Sequence, residues 1–116
     1  MITGLTTPDI NSEFTYPPEL KDEILSKFPD YQIHPSFYYK KDNEDKYLEE
    51  VHNLLEKRFK LAKYLWKNKE WDTFIMLFRS PDNIFHFMWP EGEKEEKVLK
   101  IHQQLDEYLG WFRKQN

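Results

Sequence analysis

Cysteine is absent from the 116 residues, which excludes disulfides and thiolate metal sites and fits a reducing compartment. Glycine is nearly absent too. Gly4, Gly92 and Gly110 are the only three, too few and too scattered for a glycine-rich phosphate loop. No apolar run approaches the ~18 residues of a membrane span. Met1 to Pro8 lacks the basic-then-apolar order of a signal peptide, so a cytoplasmic location is the default expectation. Basic blocks of about five or more residues are missing as well. The basic clusters are as short as Lys57-Arg58, and 17 basic against 21 acidic side chains leave a formal charge of −4. Nothing in that balance recruits nucleic acid.

What is present is apolar and aromatic. Hydrophobic residues make up 39% and aromatic ones 17%, too much for a disordered chain. The length fits one small domain with a modest core. Abundant Lys and Glu without Cys resembles a thermophile's composition.

Residues 1–16 read as a loop, with Gly4, Pro8, Asn11 and Ser12. Pro17 and Pro18 suit a first helical turn, and Leu20, Ile24, Leu25 and Phe28 share one face of a helix over 18–28 that Pro29 stops. Residues 29–43 hold Tyr31, Ile33, Phe37, Tyr38 and Tyr39 among prolines and read as a loop, with a short extra strand within 31–39 as a further candidate. Asp42 or Asn43 is expected to cap a long helix over 43–68. Its stripe is Leu48, Val51, Leu55, Phe59, Ala62 and Trp66, opposite a charged, solvated face. Residues 71–78, Trp-Asp-Thr-Phe-Ile-Met-Leu-Phe, carry five consecutive apolar residues and predict a strand buried on both faces. Ser80, Pro81 and Asp82 mark the start of a short helix over 81–89, and a last helix over 93–114 has the stripe Val98, Ile101, Leu105, Tyr108, Leu109 and Phe112. The fold class expected is an α/β fragment, mainly helical, with about three main helices and one principal strand.

Chemistry can sit where the strand ends. In open α/β sheets ligands bind beyond the carboxyl ends of strands. Asp82 follows that end and His86 follows Asp82 by one helical turn, so carboxylate and imidazole share a face and can chelate one divalent metal. Asp-x-x-x-His also arises by chance, as a helix-start Asp near a packed or solvated His. His34 lies in a loop with no partner at a ligand spacing, and His52 and His102 sit in amphipathic helices, where a solvated or edge-packed imidazole is the usual outcome. The tryptophans read as core and interface residues.

The stretch from Trp71 through Ser80-Pro-Asp-Asn-Ile-Phe-His86 to Trp89 resembles the type I phosphodiesterase and nucleotide pyrophosphatase family of the alkaline phosphatase superfamily. Leu105-Asp-Glu-Tyr-Leu-Gly110 is similar to that family's Asp-x-x-aliphatic-Gly helix, and Phe14-Thr-Tyr-Pro-Pro-Glu-Leu20 to a loop of its archaeal and bacterial branch. The three blocks in order cover about residues 5–116. The resemblance implies a two-metal phosphodiesterase, usually with zinc, in which Asp82 and His86 are ligands of one metal. By the same resemblance the nucleophile and its Asp would precede residue 1, and a further Asp-His pair would follow residue 116. Thr3, Thr6 and Thr7 stand in no metal-ligand context. With two ligands of a larger set, the segment is expected to be inactive alone, with no catalytic residue of its own.

Two other readings remain. One is a non-catalytic interaction module that forms a homo-oligomer, most simply a two-fold dimer. An unpaired strand at 71–78 would pair with a second copy and bury Phe74, Met76 and Phe78 there. The other is a complete enzyme of unrelated design using His86 with Asp82 or Glu91 as acid and base.

Overall fold

In the computed structural model of the chain, residues 1–4, 6–89 and 92–115 are described. Among them run four helices: α1 Glu19–Lys27, α2 Glu44–Asn68, α3 Ser80–Phe87 and α4 Glu93–Arg113. The long helix α2 is the spine, about 37 Å at 1.5 Å per residue. Its 25 residues bury side chains on more than one face, which places a core on either side of it.

One core lies between α2, α3 and α4. Leu48, Val51, Leu55 and Phe59 of α2 meet Ile84 of α3, Met88, and Val98, Ile101 and Tyr108 of α4. Leu55, Ile84, Met88 and Ile101 are fully buried, and covering each contributes roughly 1.5–3 kcal/mol. Aromatic rings extend this core toward the end of α4. Phe59 stacks on Tyr108 at 3.9 Å between centroids, and Trp66 meets Phe112 edge-on at 5.2 Å. The second core packs Phe14, Ile24 and Ile33 against Leu61 of α2. It holds the N-terminal loop and α1 in place, and Phe14 stacks on Tyr31 at 5.9 Å. The loop folds back on itself through the isolated bridge between Ile2 and Thr15, with Thr3 N–H donating to the Phe14 carbonyl.

Polar clamps join α2 to α4. Lys97 donates to Glu44 at 3.0 Å and reaches Asp45 at 2.9 Å. Tyr108 donates to Glu56 at 2.7 Å, and Gln104 bridges Tyr108 to the His52 ring. Burial, and then the adjacent Glu56 carboxylate, push the Tyr108 hydroxyl well above its usual value.

The expected α/β class is overturned. The described residues form four helices and no β-strand or sheet. Residues 73–78 alternate exposed and half-buried side chains as an extended chain does, yet among the described residues no backbone hydrogen bond joins 70–78 to another segment. A strand exists through its ladder partner, and the residues that could have supplied one are committed elsewhere. Tyr31 and Ile33 pack into the second core, Phe37 and Tyr39 pack edge-on to Tyr47, and Tyr38 points to solvent. The short strand expected within 31–39 is therefore absent, its residues being loop and turn. Burial on both faces of 71–78 is also corrected. Phe74 packs edge-on to Trp66 at 5.2 Å and Phe78 against Tyr108 at 5.9 Å, while Ile75 and Leu77 stay 88% and 78% exposed. The period of two is real, but a single layer of helices covers only one of its faces.

Helix starts differ from expectation in their chemistry. Asn43 occupies the position before α2 without capping it by its side chain. The side chain closes the preceding loop instead, accepting from Lys40 N–H at 2.8 Å and donating to the Tyr38 carbonyl at 2.9 Å. Ser80 is the first residue of α3 rather than its cap. No described helix is long and apolar enough to cross a membrane.

Candidate functional site

The extended segment delivers the chain into α3 at one end of an open groove. Pro81 fits the first turn of α3, and Asp82 lies there beside the positive end of the helix dipole. Ile84 anchors the inner face of α3 by complete burial. The residues on the opposite face, Asp82 and His86, therefore project outward. His86 Nε2 lies 3.4 Å from Asp82 Oδ1, and both side chains are about 70% exposed, at 73% and 69%. The two donors expected from the sequence are thus adjacent and accessible. Among the described residues no group of three or more His, Cys, Asp and Glu is placed to hold a metal ion. The pair offers two donors, fewer than the four of structural zinc sites or the three plus water of catalytic ones.

The surroundings of the pair are aromatic. Phe87 stacks on Tyr39 at 5.1 Å, and Phe85 lies between Trp89 and His102. The other imidazoles have structural partners: His34 Nε2 contacts the Thr7 carbonyl at 2.6 Å, His52 contacts Gln104, and His102 contacts the Val98 carbonyl one turn back. Thr3 and Thr7 hydroxyls hydrogen-bond each other at 3.0 Å, and Thr7 is buried. Glu91, the other candidate acid, lies outside the described residues.

The groove has a volume of about 1380 Å³ and runs between the N-terminal loop, α2 and residues 69–79, with Asp82 at its rim. Two lining residues escaped the sequence reading, Arg58 and Arg79. Arg58 donates to the Ile33 carbonyl at 2.7 Å. Burial, and then the like charge of Arg79, pull its guanidinium below its usual value, while nearby Tyr31 acts the other way. The signal for Arg58 was its register: it stands three and seven residues before Leu61 and Leu65, on the face of α2 that packs the second core. From sequence, Lys57-Arg58 reads only as a short basic cluster within a helical charge pattern.

No family model matches the chain, and searches of curated proteins and of solved structures find no match.

Proposed function

We propose that this chain is a segment of a metal-dependent phosphodiesterase of the type I phosphodiesterase and nucleotide pyrophosphatase family, inactive alone, in which Asp82 and His86 supply two donors to a divalent metal, zinc foremost. The observation that carries the reading is the 3.4 Å approach of an exposed carboxylate and imidazole one helical turn apart, immediately after an extended apolar segment. Other polypeptide, the rest of a larger phosphodiesterase, would bring the remaining donors and the nucleophile. A metal bound there would neutralise phosphoryl charge and activate an oxygen nucleophile. The part of this chain is to hold Asp82 and His86 on one face of α3, which the burial of Ile84 enforces. A cytoplasmic setting belongs to the proposal and is supported by the lack of cysteine. Calorimetric titration with zinc tests it. One weak, saturable site is expected, lost in His86→Asn and in Asp82→Asn without change in thermal midpoint. Unaltered zinc binding in both variants would remove the reading.

A second reading is favoured by a separate observation. The chain would act as a homo-oligomerising module, since residues 71–78 combine open backbone edges with the exposed side chains of Ile75 and Leu77. Unpaired edges and apolar faces are what strand addition uses. A second copy would pair along the edge and cover that face, giving a two-fold dimer. Phe74, Met76 and Phe78, expected from the sequence to be buried by the second copy, already face inward within the chain, so Ile75 and Leu77 take over that role.

A further inference from the structure

One segment carries metal-type donors at both of its ends. Glu70 and Asp72 precede residues 73–78, and both are exposed. Asp82 and His86 follow, 3.4 Å apart, with exposed Arg79 just before α3. Among the described residues no ion pair engages Glu70, Asp72 or Arg79. As an extended run, residues 73–78 cover about 20 Å. Within one chain that length holds Glu70 away from Asp82 and His86, and no group of three donors forms among the described residues.

Antiparallel pairing of two copies reverses this separation, because it sets the start of one segment against the end of the other. Residues directly opposite in such a pair share a face. A two-fold axis at Met76 sets Ile75 against the partner's Leu77 and Leu77 against the partner's Ile75, which covers both exposed apolar side chains. The same register brings Asp72 beside the partner's Arg79, an acid and a base that are both unpaired in the single chain. Charge and apolar surface are thus self-complementary, as a two-fold contact requires. It also brings Glu70 level with the partner's Asp82. We infer that Glu70 of a second copy is the third donor to the metal held by Asp82 and His86, in a two-fold dimer aligned by Asp72 and Arg79. Three protein donors with water in the fourth position is zinc's pattern in open sites. Symmetry gives the dimer two such sites. Without metal, Glu70 and the partner's Asp82 repel as like charges, and a divalent cation between them turns that repulsion into attraction. Metal and dimer therefore strengthen each other. The inference rests on both readings above, metal donation by Asp82 and His86 and pairing of residues 71–78. For the chain by itself, it puts a second copy where the rest of a larger enzyme would otherwise supply a donor.

The test is sedimentation equilibrium of the full chain, first freed of metal with EDTA and then with zinc added in steps. Coupling is reciprocal, so a gain of roughly tenfold in zinc affinity at each of the two sites raises the dimerisation constant about a hundredfold. One zinc per chain is expected at saturation, and EDTA should reverse the effect. Glu70 is exposed, so Glu70→Gln keeps the fold. It should dimerise at least as well as the parent without zinc and gain nothing when zinc is added. His86→Asn should also lose the response to zinc. Asp72→Arg should weaken dimerisation, and combining it with Arg79→Asp should restore it, because the charges meet again with their places exchanged. A Glu70→Gln chain that responds to zinc as the parent does overturns the inference. Zinc that binds at Asp82 and His86 without changing dimerisation overturns it and leaves the metal proposal standing. A dimer indifferent to zinc overturns it and leaves the homo-oligomer reading standing. A chain that stays monomeric with and without zinc overturns both the inference and that reading.

Discussion

Replacing Ile75 and Leu77 together by lysine separates what the chain does alone from what it does in company. Both side chains are mostly exposed, 88% and 78%, and neither backbone position takes part in a described backbone hydrogen bond. In the isolated chain the two substitutions should therefore each stay within about ±0.5 kcal/mol. In a dimer that covers this face the outcome is different. Full covering of each side chain contributes about 1.5–3 kcal/mol, and half that coverage still gives about 1.5–3 kcal/mol per chain for the pair. A two-fold contact counts this twice, about 3–6 kcal/mol, which lowers the dimerisation constant by more than about a hundredfold. Sedimentation equilibrium across micromolar concentrations measures the association, and urea unfolding of dilute protein measures the chain by itself. The expected result is a parent that dimerises and a double variant that does not, with equal stability when monomeric. A monomeric parent throughout that range, or a double variant that associates like the parent, would refute the reasoning.

Ile101 is fully buried between α2, α3 and α4, so Ile101→Ala should cost about 2–5 kcal/mol in urea unfolding; a loss below about 1 kcal/mol would mean that this core is not packed as described. Glu44 gives a pH dependence of known sign. The Lys97 hydrogen bond, which outweighs burial, and the Tyr39 hydroxyl hold its carboxyl below the usual 4.5. A carboxyl depressed in the folded state contributes stability that is complete above its unfolded value and lost as pH falls through the folded one. The parent's thermal midpoint should thus fall more steeply than that of Glu44→Gln between about pH 5 and about pH 3, and parallel curves would show that the clamp contributes nothing. Tyr108→Phe removes the hydroxyl that joins Glu56 to Gln104 and should destabilise by about 0.5–1.5 kcal/mol in urea, with an unchanged midpoint as the contrary result.

The helical part of this architecture was written plainly in the chain. Leu48, Val51, Leu55, Phe59 and Ala62 recur at helical spacing and are buried along α2, and Val98, Ile101 and Tyr108 do the same along α4. The run of five apolar residues marked 71–78 as a strand, but such a run carries no information on whether a neighbour exists. A run such as Phe-Ile-Met-Leu-Phe reads alike whether two layers flank it or one, and here one does. That is why the strand expectation failed while the extended backbone is present. Asp82 and His86 were legible because one turn of helix fixes their mutual distance through local geometry alone. Arg58 and Arg79 were not, since their lining of one groove depends on residues 69–79 lying across from α2, a tertiary event. The second core was only half legible. Phe14 and Ile33 come from loops without period, and what brings them to Leu61 is the return of the N-terminal loop onto α1 and α2.

The central claim is that Asp82 and His86 act together as donors to one divalent metal. Amide and imidazole NMR signals of the full chain, followed during a zinc titration, test it most directly. The account predicts saturable changes centred on Asp82 and His86 in α3, sub-millimolar or weaker in affinity, and absent in His86→Asn. Zinc-induced changes that leave residues 80–87 untouched, or that persist unaltered in His86→Asn, would contradict it.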